Sequence, residues 1–98
     1  DMNRVTTKDL ENLVERINQA LGAPDEPYAR IDGKLIPQAG CVYLSSAYGG
    51  YSFEQMCEGG GCTDLFGYGH RWTKRELAQA ARVWLEGFQA GQRKGMEQ

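Results

Sequence analysis

The stretch CVYLSSAYGGYSFEQMC, residues 41–57, decides the fold of this chain. Apolar and polar residues alternate on both sides of Gly49-Gly50, which is the pattern of two half-buried strands joined by a tight turn. We predict an antiparallel hairpin whose strands are residues 41–47 and 52–57. With a two-residue turn, the predicted pairs are Tyr48 with Tyr51, Ser46 with Phe53, Leu44 with Gln55 and Val42 with Cys57.

Paired residues share a face of a sheet, so this register defines a core face and an open face. The side-chain period of a strand is two, so a slip of one residue would exchange the faces. The core face carries Val42, Leu44, Ser46, Tyr48, Tyr51, Phe53, Gln55 and Cys57. The open face, expected to meet solvent, carries Cys41, Tyr43, Ser45, Ala47, Ser52, Glu54 and Met56.

An amphipathic helix is predicted before this hairpin, because apolar residues recur there every three or four positions. It begins at Thr6-Thr7, either of which can accept a hydrogen bond from a free N–H, and it ends at Gly22. Asn18 is placed among the residues that face water. The apolar positions are Leu10, Leu13, Val14, Ile17 and Leu21.

A second amphipathic helix is predicted after the hairpin. It opens with a capping box of Thr73 and Glu76 and ends at Gly91. Trp84 is expected to be buried, so Trp84→Ala should cost about 3–5 kcal/mol of stability. The apolar positions are Leu77, Ala80, Ala81, Trp84, Leu85 and Phe88.

A short strand is expected at residues 28–31, where Asp32-Gly33 would turn the chain so that residues 34–36 pair back. The order helix, three or four strands, helix predicts an α+β fold. We expect a two-layer sandwich of α-β-β-β-α order with both helices on one face of an antiparallel sheet. A chain of 98 residues makes a single domain, residues 1–98, with an ordered core of about residues 5–91.

Composition excludes some classes of function. A net charge of −2 gives no overall attraction to nucleic acid or to an anionic membrane. No apolar run approaches the ~20 residues of a membrane span, and the first residues lack the apolar stretch of a signal peptide. We therefore expect a cytoplasmic protein without membrane contact, with its three cysteines reduced.

Metal binding and thiol chemistry are alternatives that the residue types raise. Cys41, Cys57, Cys62 and His70 could ligate zinc, but the usual pair of ligands two to four residues apart is missing. Cys57 or Cys62 could act as a nucleophile with His70 as base, and the glycines at 59–61 could supply oxyanion donors. We predict no metal, no cofactor and no enzymatic activity, and keep a small zinc- or thiol-dependent enzyme as the alternative.

Tyrosines and a basic cluster mark the predicted contact surface. Tyrosine buries area while keeping a polar group, which suits interfaces. Cations at the start of a helix oppose its dipole, so an anion beside them would be stabilising. The predicted partner-binding residues are Tyr43, Tyr48, Tyr51, Arg71, Lys74 and Arg75; the alternative nucleic-acid site is His70, Arg71, Lys74 and Arg75.

Four segments resemble a group of short bacteriophage and prophage proteins of unknown function. They are Asp9-Leu10-Glu11-Asn12-Leu13-Val14, Ala47-Tyr48-Gly49-Gly50-Tyr51, Gly59-Gly60-Gly61 and Lys74-Arg75-Glu76-Leu77, and the similarity would cover most of the chain. The resemblance implies a phage accessory protein, a class that often binds host machinery, and it brings no catalytic residues. Our leading hypothesis is therefore a non-enzymatic protein in the host cytoplasm that binds a host protein complex, for example as an anti-defence inhibitor. A homodimer is a further candidate assembly.

The element order is similar to that of the double-stranded RNA-binding domain. That family holds phosphates with the lysine-rich start of its last helix, and Lys74 and Arg75 match this location. The fuller lysine cluster of the family is absent, and the first helix carries acidic residues, among them Glu11 and Glu15. This similarity of topology implies a nucleic-acid-binding module as the alternative to a protein partner.

Overall fold

A computed structural model describes residues 4–47, 49–66 and 71–96, with side chains up to residue 92. Helix α1 spans Thr7–Leu21 and helix α2 spans Lys74–Met96, and five strands in two antiparallel sheets lie between them. The strands are β1 (Tyr28–Ile31), β2 (Lys34–Pro37), β3 (Val42–Ala47), β4 (Gly50–Met56) and β5 (Cys62–Asp64), and a 3-10 turn at Glu58–Gly60 precedes β5. The predicted α+β class and the helix, strands, helix order are confirmed.

One core lies between the helices and the three-stranded sheet, whose order is β3-β4-β5. Val42 and Phe53 point from the same face of this sheet into that core. Both helices contribute to it and contact each other, so both cover one face, as predicted. The buried core residues are Leu10, Leu13, Ile17, Val42, Phe53, Leu77, Ala78, Ala81 and Leu85.

The predicted capping box of Thr73 and Glu76 is confirmed, and of the two threonines expected to cap the first helix it is Thr6 that does so, in a second capping box with Asp9. The Asp9 N–H donates to Thr6 Oγ1 at 3.2 Å, and the Thr6 N–H donates to Asp9 Oδ2 at 2.8 Å. Thr73 and Glu76 exchange the same two bonds at 2.9 and 3.1 Å. Gly22 has a φ of 67°, the left-handed conformation that ends a helix with least strain.

The predicted end of the second helix at Gly91 was wrong, because α2 continues to Met96. A glycine ends a helix where its backbone turns left-handed, and Gly91 keeps a helical conformation instead. The buried face also differs from the prediction. Leu77, Ala78, Ala81 and Leu85 are buried, whereas Trp84 is half-buried and stacks on Phe88 with 5.2 Å between ring centroids.

The register of the β3–β4 hairpin differs from the prediction by two residues. Ala47 pairs with Gly50, so residues 48–49 connect the strands in place of Gly49-Gly50. An added Cβ at Gly50 would lie 2.5 Å from Arg71 Cβ, so glycine is needed there for a close approach of the chain. A shift of two preserves which residues share each face. The expectation that the open face meets solvent was wrong for Cys41, Ser52 and Met56, which are buried, and Arg71 covers Ser52 there. The observed pairs include Val42 with Gln55, Leu44 with Phe53 and Ser46 with Tyr51.

The β1–β2 hairpin forms a sheet of its own, which raises the strand count above the predicted three or four. Its turn is confirmed: Asp32 and Gly33 have φ values of 52° and 78°, as a two-residue type I′ turn requires. At Val42 the outer edge of β3 is occupied by the Asn18 side chain, which bonds both backbone groups of that residue, and β2 does not pair there. Asn18 is 2% exposed, so its predicted place on the water-facing side of α1 was wrong.

Candidate partner-binding surfaces

The predicted contact residues separate into two groups. Arg71 lies on the open face of the main sheet with Tyr43 and does not join the basic residues that begin α2. Tyr51, Lys74 and Arg75 line one groove. Tyr48 and His70, which were also predicted, lie outside the described residues.

Arg71 crosses the open face and links two strands. Its guanidinium donates hydrogen bonds to the hydroxyls of Ser52 and Ser45, the second at 3.1 Å. These serines are a cross-strand pair of β3 and β4, and Ser52 is buried. The arginine therefore fixes the segment before α2 onto the sheet.

Glu54 is the acceptor of the same face. One of its carboxylate oxygens, Oε2, accepts from the Tyr43 hydroxyl and from Cys62 Sγ, each at 3.0 Å. The thiol bond first, and the Tyr43 bond and the charge of Arg71 in addition, lower the pKa of Glu54. Burial first, then hydrogen bonds with Cys62 and Glu54, raise the pKa of Tyr43. We call these hydrogen-bonded residues the open-face cluster. Its six members are Tyr43, Ser45, Ser52, Glu54, Cys62 and Arg71.

The three cysteines occupy different environments. Cys41 is buried, Cys57 is half-buried and Cys62 is exposed. Burial first, and the nearby charge of Asp25 second, raise the pKa of Cys41. The described residues hold no group of three or more His, Cys, Asp or Glu side chains placed to bind a metal ion.

A groove of about 530 Å³ lies at the start of α2; we call it the basic groove. Arg4, Lys74 and Arg75 line it together with Tyr51. The Lys74 ammonium lies 5.6 Å from the centroid of the Tyr51 ring, within the range of a cation–π contact. Arg4 was not predicted, since only the tertiary fold brings the residues before α1 to α2.

The backbone holds Tyr51 in that groove. Tyr51 and Trp72 exchange two backbone hydrogen bonds of 2.9 and 2.8 Å, an isolated bridge at the edge of β4. The bridge fixes the start of α2 beside the tyrosine, which explains why these two regions share one surface.

The β1–β2 hairpin, which we call the exposed hairpin, was predicted as a strand pair, but its separation from the main sheet and its exposure were not. Its large apolar side chains remain in solvent. The exposed fractions are 42% for Tyr28, 55% for Ile31, 58% for Leu35 and 42% for Ile36. The signal was present as four large apolar residues in two short strands, but we expected them to join the main sheet.

A second groove, of about 510 Å³, runs along α2 beside Phe66 and Trp72. Ala80, Val83 and Trp84 complete its apolar part, and Val83 is 64% exposed. The Phe66 and Trp72 rings meet edge to face at 6.2 Å, which fixes one wall.

No protein family, no curated protein and no solved structure matches this chain. Within the described residues, neither helix combines the length and the apolar character needed to cross a membrane.

Proposed function

We propose that this chain is a non-enzymatic binding protein whose main contact is made by the exposed hairpin to another protein. The observation that supports this is the exposure of four large apolar side chains on a two-stranded sheet. An isolated two-stranded hairpin is at best marginally stable in water. A partner that covers it would supply the packing that the rest of the chain does not provide.

The hairpin register indicates the shape of the partner site. Tyr28 and Leu35 lie on one face, because Tyr28 pairs with Pro37 and Leu35 with Arg30. Ile31 and Ile36 lie on the other. A flat surface could cover only one of these faces, so we propose insertion of the hairpin into an apolar cleft of the partner.

The charges of the hairpin indicate that the mouth of the partner's cleft is acidic. Each face of the hairpin carries one cation, Arg30 beside Leu35 and Lys34 beside Ile31. Acidic side chains at the mouth of the cleft would pair with them, which steers association more than it adds affinity. Burying the exposed halves of the four apolar side chains would contribute roughly 3–6 kcal/mol before the costs of association.

The setting that we propose is the one implied by the resemblance of four segments to phage proteins. The chain would act in the cytoplasm of a host cell by binding a host protein complex, for example to inhibit a defence system. The predicted contacts through Tyr43 and Arg71 become secondary in this proposal, because both side chains are engaged in the open-face cluster.

The test is a comparison of two matched variants in affinity capture from host lysate, followed by titration of the captured protein after its purification. Ile31→Lys/Leu35→Lys places two charges on the two faces of the hairpin. Asn12→Lys/Ala90→Lys places the same number of charges at exposed helix residues outside the hairpin and outside both grooves. We expect the hairpin variant to lose at least about tenfold in affinity and the helix variant to bind like the wild type.

Equal capture by both variants would overturn the proposal. Light scattering of the purified chain tests the alternative that the hairpin binds a second copy of the same chain. A dimer that the hairpin variant converts to monomer would assign the hairpin to self-association instead of a host partner.

A further inference from the structure

We propose that the basic groove is a second, separate site that binds single-stranded nucleic acid. It shares no residue with the exposed hairpin, so it goes beyond the proposed protein contact and can fail or succeed independently of it. The argument rests on where charge and aromatic surface come together on an otherwise acidic chain.

The local charge of the groove is opposite to that of the whole chain. The net charge is −2, yet three cations line this groove and no acidic side chain does among the described residues. The carboxylate of Glu76, which is close in sequence, caps the Thr73 N–H and lines the neighbouring apolar groove. An anionic ligand would therefore meet a surface of uniform sign.

The cations come from two distant parts of the chain. Arg4 precedes α1, and Lys74 and Arg75 belong to the first turn of α2. Arg4 and Arg75 are exposed, so both can reach a ligand without disturbing the core. Grouping like charges in this way has an electrostatic cost that a bound polyanion would remove.

An aromatic ring lies among these cations. Tyr51 is held by its backbone bridge to Trp72 and is half-buried, so its ring is positioned before any ligand arrives. Single-strand-binding proteins combine cations that contact the phosphate backbone with aromatic rings on which the bases stack. An acidic peptide would use the charges but would not need the exposed part of the ring, so nucleic acid fits the groove better.

The number of cations predicts the salt dependence. Neutralising three phosphates of a single strand should give a slope of about −2 for the logarithm of the association constant against the logarithm of salt concentration. Arg75→Gln should reduce its magnitude by about 0.7, and Arg4→Gln should do the same. Arg16→Gln removes one charge from an exposed site on α1 outside the groove and serves as the matched control.

Removing the Tyr51 ring should change the affinity without changing the salt dependence. Tyr51→Leu should weaken binding by about 5- to 150-fold and leave the salt slope unchanged, because stacking contributes no counterion release. Tyr51→Phe keeps the ring and should bind like the wild type. Since Tyr51 also packs against the core, the melting temperature of each variant is measured first, and Phe is the variant that retains that packing.

The experiment is fluorescence anisotropy with the full chain and a labelled 15-mer of deoxythymidine, titrated at several salt concentrations. A duplex of equal length and a polyglutamate peptide are the competitors. Binding with the expected slope, weakened by the groove variants and not by Arg16→Gln, supports the proposal. Three results overturn it: no binding at low salt, equal or stronger binding of the duplex, and displacement by polyglutamate at equal charge concentration.

Discussion

The Asn18 side chain bonds both backbone groups of Val42. The Val42 N–H donates to Asn18 Oδ1 at 2.8 Å, and Asn18 Nδ2 donates to the Val42 carbonyl at 2.9 Å. The amide thus occupies the place of a neighbouring strand at this edge of β3. Both residues are almost fully buried, so these two bonds join helix α1 to the sheet without help from water.

Asn18→Ala should lower the free energy of unfolding by about 2–4 kcal/mol, since it leaves two buried backbone groups without partners. Asn12→Ala is the matched control, because Asn12 is an exposed asparagine of the same helix and should change stability by less than about 0.5 kcal/mol. Urea denaturation of the two variants makes the comparison. Equal midpoints would show that the Val42 edge is satisfied in another way.

Gly50→Ala should destabilise the protein by about 1–3 kcal/mol, because the added methyl group would overlap Arg71 Cβ and approach the Trp72 carbonyl. The effect is steric, since the φ of Gly50 is not in the left-handed range. Gly61→Ala is the control: its φ is −75° and an added Cβ there meets nothing within 4 Å. A thermal melt in which the two alanine variants coincide would contradict the close approach of residues 71–72 to Gly50.

Glu54 should make the fold sensitive to acid. Its pKa in the folded protein lies below the ordinary value of 4.5, so its contribution to stability is present above about pH 4.5 and is lost as the pH falls through the lowered value. Glu54→Gln should therefore flatten the fall in unfolding free energy as the pH is lowered below about 4.5. An unchanged acid profile in this variant would mean that other carboxylates dominate.

Tyr43→Phe tests the same cluster without removing the charge. The phenol donates to the Glu54 carboxylate, so its loss should raise the pKa of Glu54 toward the ordinary value. NMR titration of the Glu54 side-chain carboxyl carbon in the two proteins measures the change. If the pKa of Glu54 stays where it is in the wild type, the Cys62 thiol, the Ser45 hydroxyl and Arg71 lower it without help from Tyr43.

Thiol reagents should modify Cys62 first and Cys41 last. Cys62 is exposed, whereas Cys41 is buried and its raised pKa leaves less of the reactive thiolate. Cys62→Ser should remove the fast phase of labelling in the folded protein, and denaturant should release Cys41. Labelling of Cys41 as fast as Cys62 without denaturant would show that this end of the core opens readily.

Local signals in the sequence were sufficient for the helix starts and for one turn. Thr6 with Asp9, Thr73 with Glu76, and Asp32-Gly33 act through residues at most three apart, so their geometry follows from the chain itself. The core face of β3 and β4 followed from alternation alone, and it survived a register error of two because the period is two.

Tertiary relationships could not be predicted in this way. The burial of Asn18 depends on a strand 24 residues away, and the charge of the basic groove depends on the fold bringing Arg4 to the same groove as Arg75. The position of the turn could not be read from Gly49-Gly50 for the same reason. Gly50 is a glycine because Arg71 approaches it closely, and it does not belong to the turn. The β1–β2 pairing was predicted, but the exposure of the hairpin was not, because its apolar residues suggested that it joins the main sheet.

The base of the exposed hairpin is closed by two hydrogen bonds. The Gln38 N–H donates to the Pro27 carbonyl, and Gln38 Nε2 donates to the Glu26 carbonyl, each at 2.8 Å. The chain therefore leaves and re-enters the body at adjacent points. Residues 28–37 therefore form a self-contained excursion from the body, and changes of sequence or length at its tip should leave the helices and the Asn18 contact as they are.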